Sequence, residues 1–198
     1  MPFALNGSAS FNRWPAFAGH RLFTEIRMTD STASGAHGLE HGTFDEWPPE
    51  LRTLFDGTSI ETKTGFTASL LAADEGRVRT SLLSVGELFA PDPGTLCFSL
   101  WPQSRAARLV SKTGCATLTF VFDEAFFQVQ LQARIAPLKG ASVTCFIATI
   151  DSGEWQKVPY ARLVQGIGFE FAQGQGDAVL TRWREQIDVL KRAASAAA

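Results

Sequence analysis

From Cys115 to Ile135 apolar and polar residues alternate almost without a break. Ala116, Leu118, Phe120 and Phe122 fall on one side, Thr117 and Thr119 on the other. After Asp123-Glu124-Ala125 the period resumes, with Phe127, Val129, Leu131, Ala133 and Ile135 opposite Gln128, Gln130, Gln132 and Arg134. A period of two with one apolar face marks half-buried antiparallel strands, so these runs predict a hairpin. Upstream, Ser59–Ala73 predicts one or two strands interrupted near Gly65. Asp74-Glu75-Gly76 is a tight-turn signal, Arg77–Val85 predicts a returning strand, and Thr95–Leu100 a short apolar one. Val143–Ile150 is apolar on both faces, as in a central strand, and Asp151-Ser152-Gly153 reads as its end. Pro137 reads as the end of the strand before it. Leu163, Gln165, Ile167, Phe169 and Phe171 predict a further strand whose other face carries Gly166 and Gly168.

Helical signals are fewer. Pro48-Pro49 before Glu50–Phe55, with Gly57 beyond, predicts a short N-terminal helix. Ser104 is suited to cap a helix over 104–113, and Gly114 to close it in a left-handed turn. Near the end, Leu180, Trp183, Ile187 and Leu190 recur at helical spacing after Asp177. The expected fold is therefore mainly β, with six or seven antiparallel strands closed into a small barrel and three flanking helices. Residues 1–43 lack sustained periodicity and read as a poorly ordered extension, 44–192 as the single domain, and 193–198 as a frayed tail. Within the extension, Met28 offers an alternative start.

Composition narrows the chemistry. The net charge of −2 over 198 residues provides no general attraction for nucleic acid, and no apolar run reaches the ~18 residues of a membrane span. Cys97, Cys115 and Cys145 each lie in a strand-like apolar run and read as buried free thiols in a reducing, cytoplasmic compartment. His20, His37 and His41 all fall in the extension. The expected domain thus has no histidine for a triad, a metal site or a general base. Such an inventory suits a binding protein, or an enzyme whose cofactor carries the chemistry.

Ser104-Arg105-Ala106-Ala107-Arg108 is the strongest candidate site. The first turn of a helix leaves N–H groups unpaired and its dipole favours an anion, while Ser104, Arg105 and Arg108 add donors shaped for phosphate. Arg79 and Ser81, on one face of the preceding strand, would extend the site. The same residues also suit an ordinary capped helix with solvated arginines. Gln128, Gln130 and Gln132 offer amides toward a heterocycle, or simply a polar outer face. Trp101-Pro102 suits a wall beside a planar ligand, or packing at a rim.

The order Arg79-Thr80-Ser81-Leu82-Leu83, Ser99-Leu100, Ser104-Arg105 and Phe127-Gln128-Val129 resembles the pyridoxamine 5′-phosphate oxidase-like family, the FMN-binding split β-barrels, over roughly Pro48 to Phe171. The resemblance implies a split barrel in which Arg79 and Arg105 hold the FMN phosphate. Thr80, Ser81 and Leu82 would line the flavin with backbone, Ser99 and Leu100 would lie against it, and Gln128 would reach its polar edge. It also implies a homodimer with flavin between subunits. The departures are specific. Ala106 replaces the lysine after Ser-Arg, leaving Arg108 as its substitute, and Ser84 replaces the strand lysine that meets the vitamin. The tyrosine-arginine-serine segment and the C-terminal arginine-x-histidine motif are missing. The expectation is a flavin-dependent oxidoreductase acting on a small molecule other than pyridoxine phosphate, with no residue nameable as proton donor. The alternatives are a non-catalytic flavin-binding or interaction module, and an F420-dependent variant.

Overall fold

The computed structural model describes residues 38–136, 138 and 140–197. Residues 1–37, with His20, His37 and Met28, and also Pro137 lie outside the described residues. Eight strands are formed there: β1 (Glu40–Phe44), β2 (Thr67–Asp74), β3 (Arg77–Ser84), β4 (Leu88–Phe89), β5 (Thr95–Leu100), β6 (Cys115–Phe122), β7 (Ala125–Ile135) and β8 (Thr144–Lys157). Three α-helices accompany them: α1 (Pro49–Leu54), α2 (Arg105–Thr113) and α3 (Gly176–Ser195).

All strands are antiparallel and belong to one sheet of order β3-β2-β6-β7-β8-β5-β4, with β1 also on β8. The first and last strands of that order, β3 and β4, are separated in sequence only by the 3₁₀ turn Val85–Glu87. The sheet must therefore curl until its two edges meet end to end. The edges do not hydrogen-bond to each other, and the result is the split barrel expected from the sequence.

Local chemistry explains the hairpins. The β2–β3 turn places Glu75 and Gly76 at φ 48° and 75°, and the β6–β7 turn places Asp123 and Glu124 at φ 46° and 65°. Two successive left-handed residues match the twist of paired strands. Ala116, Leu118, Phe120, Phe127, Val129, Leu131 and Ala133 are buried, as the alternation required. Phe120 stacks on Phe127 at 5.1 Å, and Phe55 meets Phe120 edge-on at 5.6 Å. These rings, with Leu70, Leu96 and Phe98, form the barrel core. A second cluster lies between the sheet and α3, where Ile187, Leu190 and Ala193 cover Cys97, Cys145 and Ile147. Trp47 fastens the N-terminal side, donating from Nε1 to the Thr95 carbonyl at 3.0 Å.

Residues 60–63 form a 3₁₀ turn, so of the one or two strands expected over Ser59–Ala73 there is one, starting at Thr67. Three other local expectations are corrected. Asp151-Ser152-Gly153 does not end β8. The register steps from Gln130↔Ser152 to Leu131↔Ile150, making Asp151 the extra residue of a bulge. A Cβ at Gly153 would overlap the Phe44 ring, which is why a glycine stands there. Residues 163–171 form no strand. Phe169 and Phe171 pack on Trp183 instead, and Val164 is 83% exposed. Their apolar alternation serves ring contacts with α3, with no partner backbone among the described residues. Finally, β1 starts within the stretch read as extension, and α3 continues to Ser195, into the stretch read as tail.

Candidate functional site

The site is built around the start of α2. Ser104 has extended backbone, and its Oγ accepts the Ala107 N–H at 3.0 Å. Gly114, at φ 69°, closes the other end with its N–H on the Val110 carbonyl at 2.9 Å. The cap occupies the hydroxyl oxygen as acceptor and leaves its proton to donate. Ala106, Ala107 and Val110 are buried against the barrel, so Arg105 and Arg108 face solvent on the opposite side of the helix. Lys112 in the last turn pairs with Asp74 at 2.7 Å, tying that end of α2 to the end of β2.

Face and register decide what joins this helix. Arg79 and Ser81 stand opposite Ala72 and Leu70 of β2, hence on their face of the sheet. Leu70 and Ala72 share the barrel core with Ala106, Ala107 and Val110, so α2 rests on that same face. Arg79, Ser81 and the start of α2 therefore lie on one side. Among the described residues, no carboxylate pairs with Arg79, Arg105 or Arg108. Among the described residues Arg108 reaches only the Gln103 carbonyl, at 3.5 Å. Three unneutralised guanidinium groups and a capped helix start form a donor set that fits a phosphate monoester.

Thr80 and Leu82 point to the other, outer face, where Leu82 is 54% exposed. Among the described residues β3 pairs only with β2, so alternate N–H and C=O groups of β3 open to its free edge. A ligand lying along that edge meets Arg79 and Ser81 on one side and Thr80 and Leu82 on the other.

The remaining predicted residues are not brought there. Ser99 and Leu100 are buried: Leu100 lies in the barrel core, and Ser99 beside Cys97 on the α3 side, its Oγ without a hydrogen-bond partner among the described residues. Gln128 is on the outer face, opposite Thr119 and Glu154, and donates from Nε2 to Glu154 Oε1 at 3.0 Å. One cross-strand row runs Leu82, Ser69, Thr119, Gln128. Three strand spacings of ~4.8 Å put Gln128 about 14 Å from β3. It is also on the opposite face from Arg79. Gln130 accepts from Thr117 Oγ1 at 2.7 Å and Gln132 from Cys115 Sγ at 3.6 Å, so both serve the sheet's polar face.

The departures from the family pattern have structural roles. Ser84 donates from both its N–H and its Oγ to Glu87 Oε2, each at 2.9 Å, capping the turn between β3 and β4. Ala106 is packed into the core, so the missing lysine has no room at this position. Two further expectations are corrected. Cys115 is exposed rather than buried, because its alternation puts it on the outer face. His41 belongs to the folded body, in β1, opposite Gln156. A five-residue strand within an otherwise aperiodic stretch gave little signal of this. Trp101 is exposed at the entrance to α2, and its carbonyl accepts the Ser104 N–H at 2.9 Å.

No family model matches the chain. The uncharacterized protein YclD of Bacillus subtilis is 27% identical over 143 residues, covering 70% of this chain and 92% of that protein. Several solved structures are similar in fold. An FMN-binding protein from Syntrophomonas wolfei is 12% identical, with a TM-score of 0.39, covering 52% of this chain and 85% of its own. A FAD-binding protein from Mesorhizobium loti is 11% identical, TM-score 0.39, covering 61% and 99%. General stress protein 26 from Bacillus anthracis is 13% identical, TM-score 0.40, covering 58% and 99%. Likeness at this level assigns no residue role. Among the described residues no helix is long and apolar enough to cross a membrane.

Proposed function

We propose that this chain binds FMN and serves as a flavin-dependent oxidoreductase for a small molecule other than pyridoxine phosphate. One observation carries the reading: Arg79, Arg105 and Arg108, none neutralised by a carboxylate among the described residues, stand beside a capped helix start and the free edge of β3. Arg79, Ser104, Arg105 and Arg108 hold the phosphate. Thr80, Ser81 and Leu82 present backbone donors and acceptors to the ring system along the edge. Ser99 and Leu100, buried at the end of β5 just before α2, have no direct part in this site. Gln128, on the opposite face, reaches the ring of a second copy, so the working unit is a homodimer with two shared sites. The bound flavin supplies acceptance and return of a hydride or an electron pair. Pyridoxine phosphate is disfavoured because Ser84, in place of its lysine, is already committed to Glu87.

The full-length protein purified without added cofactor tests this. A yellow preparation with a flavin spectrum, or a colourless one that takes up FMN stoichiometrically, supports the reading. Protein that takes up neither FMN nor another flavin refutes it, and uptake of F420 in preference to FMN changes the cofactor but not the site. Anaerobic bleaching by NADH or NADPH then separates an oxidoreductase from a flavin carrier. The homodimer is tested by light scattering.

A further inference from the structure

The cations of α2 fall on one stripe. Arg105, Arg108 and Lys112 recur at helical spacing and lie opposite the buried Ala106, Ala107 and Val110. Lys112 reaches Asp74 at 2.7 Å, so the stripe stands beside the β2–β3 hairpin. At the other end, β4 follows β3 after the turn Val85–Glu87 and pairs with β5, Leu88 opposite Phe98. Because α2 starts just after β5, it runs back along β3, from near the end of that strand to its beginning.

Rise per residue then sets the levels. Arg77 is opposite Asp74, hence level with Lys112. Four helical residues back, ~6 Å, is Arg108, and two strand residues on, ~7 Å, is Arg79. A further ~5 Å of helix and ~7 Å of strand bring Arg105 level with Ser81. Asp74 neutralises the Lys112 level, whereas among the described residues no carboxylate pairs with Arg79, Arg105 or Arg108. Two unneutralised levels follow. One joins Arg105, Ser81, the Ser104 hydroxyl and the first-turn N–H groups, which already suit one phosphate. The other joins the guanidinium groups of Arg79 and Arg108, a turn further on. Like charges a turn apart on one helix repel, and an anion between Arg79 and Arg108 relieves that cost.

We propose that this flank holds two anionic groups about one helical turn apart, one at the start of α2 and a second between Arg79 and Arg108. The first is the phosphate position of the flavin reading, on which the proposal rests. The second takes a carboxylate or phosphate that FMN does not carry, borne by the substrate or by a longer cofactor.

Propane-1,3-bisphosphonate has two anionic groups about a helical turn apart, and propylphosphonate has one. Titrated calorimetrically into the full-length protein, the first should bind at least tenfold more tightly. Methylenebisphosphonate, as highly charged but too short for both positions, should fall at least threefold short of that gain. Arg79→Gln and Arg108→Gln should each remove most of the gain and leave propylphosphonate affinity within twofold. Arg105→Gln should weaken both propane probes alike. Arg77→Gln, which removes the cation facing Asp74, should leave the gain within twofold. The proposal is overturned by equal binding of the two propane probes, by equal binding of the two bisphosphonates, by an equal loss of both propane probes in Arg79→Gln and Arg108→Gln, or by an equal loss of the gain in Arg77→Gln. Propylphosphonate binding to FMN-saturated protein places the second anion on the substrate, and FAD binding tenfold tighter than FMN places it on the cofactor. FMN uptake without the bisphosphonate gain sinks the second position alone, and the gain without flavin uptake sinks the flavin reading alone.

Discussion

Arg105→Ala is the sharpest test of where the phosphate sits. Arg105 is the first residue of α2, exposed and without an ion-pair partner among the described residues. Alanine is at least as good a helix former as arginine, so the substitution leaves the apo-protein's stability nearly unchanged. What it removes is a charge-assisted hydrogen bond to phosphate, ~1.5–3 kcal/mol in general. Exposure places this one toward the lower end, where about 1.4 kcal/mol is a tenfold change. FMN affinity, followed by quenching of flavin fluorescence on titration, should therefore fall by about tenfold or somewhat more. Arg105→Lys keeps the charge but loses the forked geometry and should fall between the two. Riboflavin, which lacks the phosphate, should bind the original and both variants alike. Added salt should narrow the FMN difference. Unchanged FMN affinity in Arg105→Ala, or a riboflavin loss as large as the FMN loss, would refute the placement.

Three further outcomes are expected. In Gly86→Ala the new Cβ overlaps the buried Trp183, and overpacking of ~1–3 kcal/mol should lower the melting temperature by about 2–4 °C per kcal/mol, seen by calorimetry. Burial pushes the Asp56 carboxyl up, but hydrogen bonds from Lys63 and Thr58 outweigh it and hold its pKa below the usual value of 3.8. Its stabilisation is therefore present above that value and lost as pH falls through the lower, folded one. Asp56→Asn should destabilise at pH 7, and the gap to the original protein should shrink below about pH 4 in denaturant titrations. Burial, then the nearby Asp92, pushes the Cys97 thiol up to about 12, and burial raises Cys145. At pH 8 a thiol reagent should label Cys115 rapidly and the other two only on unfolding, and fast labelling of Cys97 would contradict its packing.

The elements legible in the sequence are those whose reasons are local. The β6–β7 hairpin is written in its alternation, and α2 in Ser104 and Gly114. The stretches that misled have distant causes. Asp151-Ser152-Gly153 looks like a stop because turn residues usually are, yet Gly153 is there for the ring of Phe44, more than a hundred residues earlier. Residues 163–171 carry a strand's alternation, but alternation does not provide a neighbouring edge, and Phe169 and Phe171 find Trp183 instead. His41 was hidden for the same reason. Its strand is defined by pairing with β8, not by any period of its own.

Residues of the candidate site were legible one strand at a time, and their relation was not. Alternation places Arg79 with Ser81 and Gln128 with Gln130, but it cannot say whether two strands turn these sets the same way. The ladder can. Arg79 is opposite Ala72, Leu70 is opposite Leu118, and Leu118 is opposite Val129, which fixes Arg79 on the core side and Gln128 on the outer side. A single flavin gripped by both must therefore reach past its own sheet to another copy. A two-fold axis that brings Gln128 of one copy to the β3 edge of the other does so twice, giving two equal sites. In the proposed homodimer, cofactor binding and association would share one equilibrium: whatever tightened the dimer would tighten the flavin, and removing flavin would loosen the dimer by the same free energy.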